Sequence, residues 1–149
     1  MNDTLEIREA RADEIALVQE LIREMAKYEK RPEDMTGTQE ALSYCLFERK
    51  IATILLLEYE KKVIGYAIYY PVFGSFAACG GIEDLYIKAE YRKHGFGRSF
   101  FDAVAKRAKA EGYSRMEWSC LDWNAPSLAF YEKLGAAYDS GRKYLELPL

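Results

Sequence analysis

One short segment gathers the residue types that hold phosphate: Arg92-Lys93-His94-Gly95-Phe96-Gly97, followed by Arg98. Glycine has no Cβ, so backbone N–H groups can converge and a ligand can approach the main chain closely. A helix starting there adds free N–H groups and the positive end of its dipole. Arg92, Lys93 and Arg98 supply flanking positive charge. These features suit a pyrophosphate cradle, and the plain alternative is a tight turn into a helix. Two better-known phosphate motifs fail. The pattern GxxxxGK[ST] is absent, and GxGxxG begins at Gly95 but meets Phe100 where its third glycine belongs.

Other residues could carry protons. Glu83 and Asp84 are adjacent acids in the strand-like run GGIEDLYIK. A regular strand would send them to opposite faces, and a bulge would change that. Their plain reading is two solvated carboxylates. Tyr131 stands at helical spacing with Leu128 and Leu134, where a core tyrosine is the competing role. His94, the one histidine, leaves a zinc site short of ligands. Cys45, Cys79 and Cys120 show no CxxC spacing and read as reduced, buried thiols. Cys120 has no base partner in view, so packing is its expected role.

The elements that position these residues follow from periodicity. The 149 residues predict a single α/β domain, 1–149, and the net charge of −3 gives no sign of a nucleic-acid partner. The start, MNDTLEIREA, lacks a basic, apolar leader, and Ile51–Leu57 is too short to span a bilayer, so a cytoplasmic protein is expected. Leu5 and Ile7 predict a first strand, and Asp13 a helix cap before the stripe Ile15, Val18, Ile22 and Met25. A second helix is predicted over Thr38–Glu48. ATILLLEYE and VIGYAIYYPV predict a hairpin turning at Lys61-Lys62, with GGIEDLYIK as the next strand. A helix from Gly97 to Glu111 ends at Gly112. RMEWSC predicts a strand, Asn124 caps a helix that Gly135 ends, and Lys143–Leu147 predicts a last strand.

The segment EYRKHGFG resembles the R/Q-x-x-G-x-G/A signature of GNAT-type N-acetyltransferases, whose turn binds the pyrophosphate of coenzyme A. AKYEK, GYAIYY, EDLYIKAEYR and LDWNAPSLAFYEKLGA are similar to the spermidine/spermine N-acetyltransferase branch and its thialysine-acetylating relatives. The resemblance implies a mixed sheet whose two central parallel strands splay to admit the pantetheine arm. It also implies acetyl-CoA as acetyl donor and a homodimer.

Carried over residue by residue, the resemblance makes Glu83 the group that helps deprotonate the amine. It makes Tyr131 the acid that protonates the coenzyme A thiolate. Arg92, Lys93, His94, Gly95, Phe96, Gly97 and Arg98 form the pyrophosphate turn. Leu85, Tyr86 and Ile87 offer strand backbone to the pantetheine arm, which Asn124 hydrogen-bonds, while Ser127 and Lys133 reach the nucleotide end. Lys27, Tyr28, Glu29, Glu83 and Asp84 surround the amine; no metal is implied.

This chain departs from the polyamine enzymes in a shorter hairpin and final loop, and in having Phe76 where they carry tryptophan. It also has Arg142 and Lys143 where they place acidic and aromatic groups. The expected substrate is a polyamine or diamine such as spermidine. The alternatives are a lysine-like amino acid such as thialysine, or a non-catalytic acyl-CoA sensor.

Overall fold

The computed structural model describes residues 5–138 and 141–149. The chain divides into two compact units, Met1–Trp118 and Ser119–Leu149, taken here in turn. The first contains β1 (Leu5–Glu9), α1 (Ile15–Tyr28), α2 (Gln39–Ser43), β2 (Thr53–Tyr59), β3 (Lys62–Val72), β4 (Cys79–Ile87), α3 (Phe96–Ala110) and β5 (Arg115–Glu117). The strands form one mixed sheet in the order β1-β2-β3-β4-β5. Neighbours from β1 to β4 are antiparallel, and β5 runs parallel to β4.

Alternation along the strands fills two cores. Leu55, Leu57, Ala67, Tyr69 and Ile82 meet Phe96, Phe100 and Val104 of α3 on one face. Ile54, Leu56, Tyr66, Ile68 and Tyr86 meet Val18 and Leu21 of α1 on the other. With two faces to cover, the strands carry apolar residues in near-continuous runs.

Local chemistry sets the element ends. A 3-10 turn, Ala12–Glu14, precedes α1, and the Glu14 carboxylate accepts the Arg11 backbone N–H at 2.9 Å. Asp13 was the expected cap, but its carboxylate instead takes the Arg11 guanidinium at 3.3 Å. The hairpin turns at Glu60-Lys61, one residue earlier than expected, with both residues at positive φ (50° and 64°). That is the left-handed pair a two-residue hairpin needs. Thr38 caps α2 through the Ala41 N–H at 3.1 Å, and Tyr44–Glu48 continues as a π-helical turn.

Arg8 ties the first strand to this framework, donating to both Glu14 oxygens at 2.8 and 2.9 Å and also to Glu58. The bond from Arg8 outweighs burial and holds the Glu14 carboxyl at about 2. A depressed carboxyl stabilises the fold above its unfolded pKa of 4.5 and loses that contribution as pH falls towards 2. Glu14→Gln should therefore cost about 2 kcal/mol near pH 7. Denaturation series at falling pH should show the deficit shrinking below about pH 4.5; a constant deficit would assign the effect to packing.

β5 is shorter than RMEWSC suggested, ending at Glu117. Its pairing with β4 covers Cys79↔Arg115, Gly80↔Met116 and Gly81↔Glu117. It stops two residues before an irregularity at Glu83, where a bulged strand bends and twists. From Ile82 to Ile87, β4 pairs with β3 alone among the described residues.

The second unit contains α4 (Ala125–Lys133). Asn124 caps it by accepting the Ser127 N–H at 3.4 Å, and Gly135 at φ 95° ends it, both as expected. The predicted strand Lys143–Leu147 does not form, and Tyr144, Leu145 and Leu147 are exposed. Alternation describes a face, whereas a strand needs a neighbouring backbone. No described residue of 119–149 supplies one. Of the three thiols expected to be buried, only Cys79 is; Cys45 and Cys120 are partly exposed. No helix among the described residues is long and apolar enough to cross a membrane.

Candidate active site

The acidic pair sits on a β-bulge. Ile68 pairs with Asp84 and Tyr69 with Ile82, which leaves Glu83 as an extra residue in β4. Ile82 points into the core beneath α3, while Asp84 points to the α1 face, where Tyr66 donates to its Oδ2 at 3.0 Å. Glu83 lies between them, exposed. The Glu83 charge acts on both Asp84 and Glu29.

Glu29, at the C-cap of α1, completes the group. Burial raises the Asp84 carboxyl to about 7; the Tyr66 bond opposes this, and the charges of Glu83 and Glu29 add to it. Glu29 is also raised, first by burial, with Arg31 opposing and Glu83 contributing. These three carboxylates share one field, which a cation would relieve.

Other expected amine-site residues fall into distinct roles. Lys27 is exposed. The Tyr28 ring lies under the Arg92 guanidinium at 4.6 Å, and Tyr86 lies on the same cation at 5.5 Å. Arg92 also donates through Nε to the Ile87 carbonyl at 2.7 Å. Its side chain thus turns back onto the sheet, linking the glycine turn to the end of α1. Glu24 joins this face by accepting from Lys88 at 3.2 Å and Tyr86 at 3.4 Å.

In the turn itself, Lys93 and Gly95 have φ of 65° and 81°, and Gly95 is the N-cap of α3. Left-handed residues beside right-handed ones aim successive N–H groups into a concave nest. A Cβ on Gly95 would meet nothing within 4 Å, so the space before the helix start is open. Lys93, His94 and Arg98 are exposed, and Arg98 pairs with Asp102 at 3.2 Å. Phe96 is buried and stacks on Tyr59 at 4.9 Å, so only its backbone faces the turn. Leu85 and Ile87 pack towards α3, and Tyr86 packs towards α1.

Within the second unit, Asn124 is buried, Ser127 and Tyr131 are partly buried, and Lys133 is exposed. The Tyr131 ring meets Phe130 edge-on at 5.4 Å. No group of three or more metal-ligating side chains occurs among the described residues. Sequence reasoning missed Tyr66. Its signal was a tyrosine at a strand position where an apolar residue would suffice.

A profile of the Acetyltransferase (GNAT) family matches residues 16–136. A thialysine N-epsilon-acetyltransferase of Bos taurus is 33% identical over 144 residues, covering 87% of this chain and 82% of that one. L-ornithine N5-acetyltransferase NATA1 of Arabidopsis thaliana is 42% identical over 76 residues, half of this chain and 33% of that protein. Among solved structures, an aminoglycoside acetyltransferase from an uncultured soil metagenomic sample superposes with a TM-score of 0.83. At 16% identity and 99% coverage of both chains, that likeness concerns the fold.

The chain belongs to the GNAT family of acetyltransferases, whose enzymes use acetyl-CoA as co-substrate.

Proposed function

We propose that the protein transfers acetyl from acetyl-CoA to a primary amine of a small polycationic alkylamine, a diamine or polyamine. The observation carrying this reading is the shared field of Glu29, Glu83 and Asp84 around the β4 bulge. Several spaced carboxylates suit a substrate with more than one positive charge.

With a pKa of about 10.4, only a few alkylamines in about 10⁴ are neutral at pH 7. Glu83, exposed at the bulge, takes the ammonium proton directly or through water. The freed lone pair attacks the thioester carbon, the C–N bond forms and the C–S bond breaks. Tyr131 gives its phenolic proton to the departing thiolate, and solvent restores both groups. The nest at Lys93–Gly97, with Lys93, His94 and Arg98 around it, receives the pyrophosphate. The β4 backbone at Leu85–Ile87 offers hydrogen bonds to the pantetheine arm, and Asn124, Ser127 and Lys133 keep the coenzyme-binding roles that the family resemblance gives them. Arg92 supports the turn from behind. The working unit is a homodimer, which sedimentation equilibrium reads directly.

Gly95→Val should weaken acetyl-CoA binding about tenfold or more, because φ of 81° is strained for a branched residue and its side chain enters the open cradle. Calorimetric titration measures this. Unchanged affinity would move the pyrophosphate elsewhere.

A second reading has its own support: the 33% identity over 87% of the chain to a thialysine acetyltransferase favours the ω-amine of a lysine-like amino acid. The deciding experiment follows thiol release from acetyl-CoA with spermidine, spermine, putrescine, thialysine, ornithine and lysine. Higher kcat/KM for the polyamines supports the first reading, and preference for the amino acids replaces it with the second. Acetyl-CoA binding without thiol release from any amine would point to a sensor.

A further inference from the structure

Tyr66 lies in the middle of β3 with no exposed surface, among Val18, Leu21, Leu56 and Tyr86. Phenylalanine would fill that space without a polar group to satisfy, so packing alone does not account for the hydroxyl. That hydroxyl donates to Asp84 Oδ2 at 3.0 Å. Burial and the Asp84 charge push the Tyr66 phenol well above its ordinary range, so it stays a donor at every accessible pH. With Asp84 ionised the bond runs one way, from the phenol to the carboxylate.

Asp84 is partly buried and is faced by Tyr66 from β3, by Glu83 on its own strand and by Glu29 from the end of α1, with Arg31 beyond Glu29. No buried side-chain oxygen among the described residues lacks a partner. Oδ1, which accepts no described hydrogen bond, therefore keeps some exposed surface. One oxygen is held by a buried hydroxyl, and the other is left to accept a further donor.

We propose that Tyr66 is a positioning residue of the amine site: by holding Asp84 through Oδ2 it aims Oδ1 at the substrate ammonium. This deepens the functional reading above and rests on it. The hydrogen bond favours the ionised carboxylate, against burial and two neighbouring negative charges. Tyr66 thereby extends the pH range over which Asp84 attracts a cation.

The test is Tyr66→Phe, which removes one oxygen and keeps the ring. The pH profile of kcat/KM for the best amine is recorded with acetyl-CoA saturating. In parallel, the Asp84 carboxyl carbon is titrated by NMR in the wild type and the variant. The acid limb should move up by about one pH unit, with rates converging at high pH, and the NMR midpoint should move by the same amount. Asp84→Asn, which keeps an oxygen for Tyr66, should flatten that limb, and adding Tyr66→Phe to it should shift nothing further.

An unmoved NMR midpoint overturns the proposal. So does a moved midpoint with rates reduced equally at all pH, since the bond would then tune an acid the substrate does not meet. A wild type that binds acetyl-CoA yet acetylates none of the amines removes the functional reading, and the proposal with it. A flat response in an active enzyme removes only the role of Tyr66.

Discussion

Tyr131→Phe is expected to lower kcat about 100-fold while acetyl-CoA still binds nearly as tightly as to the wild type. The substitution removes one hydroxyl and keeps the ring and the helix that carries it. α4 is fastened at its start by Asn124, which accepts the Ser127 N–H at 3.4 Å. At its end the Ala136 N–H returns to the Tyr131 carbonyl at 3.1 Å, with Gly135 at φ 95° making the reversal. The ring keeps its edge-on contact with Phe130 at 5.4 Å, which phenylalanine preserves. In the proposed mechanism the lost hydroxyl is the donor to the thiolate leaving group. Raising the pH should narrow the defect, because the thiolate then needs less protonation to depart. Single-turnover thiol release and calorimetry on the same variant separate chemistry from binding. A kcat unchanged by the substitution would take Tyr131 out of the reaction.

Asp84→Asn should move stability and activity in opposite directions. The Asp84 carboxyl titrates at about 7 in the fold against 3.8 as its ordinary value, chiefly through burial. A raised acid means that the folded state binds the proton more tightly. Its contribution to stability is full below 3.8 and is lost as pH rises through about 7. Asparagine does not titrate, so near pH 8 the variant should be more stable by about 2 kcal/mol, or a melting temperature higher by roughly 5 °C. Near pH 4 the difference should vanish. Turnover with the preferred amine should nevertheless fall at least about tenfold, since in the proposed amine site this side chain no longer carries charge. Thermal melts at the two pH values provide the check; equal stabilisation at both would show that ionisation is not the source.

These effects depend on features that differ in how plainly the residues announce them. Gly95, Gly112 and Gly135 all adopt positive φ (81°, 94° and 95°), and each was legible as a helix boundary because glycine is the residue that does this without strain. The cap at Asn124 was legible for a similarly local reason, a side-chain oxygen placed to accept from the first turn of a helix. Glu83 and Asp84 were visible as a pair, but the bulge that relates them is a matter of register against the neighbouring strand β3, where Ile68 pairs with Asp84 and Tyr69 with Ile82. GYAIYY contains three tyrosines, and nothing local says that Tyr66 seeks Asp84 while Tyr69 seeks Glu111. Arg92 was assigned to phosphate by its charge, yet two rings and a carbonyl from distant elements draw its side chain inward. The last strand failed for the complementary reason: its alternation was real, but pairing is a property of two segments.

The bulge at Glu83 can also be stated as a change of parity. Before it, even-numbered residues face α3, as Ile82 does; after it, odd-numbered residues do, as Leu85 and Ile87 do. Because Glu83 opposes no partner of its own, excising it would bring Ile82 next to Asp84 with both cross-strand pairs already in place. The sheet would count one residue fewer and keep every other side chain on its present side. Glu83 is thus a residue the sheet can lose without a change of register, and its presence there is owed to something other than the architecture.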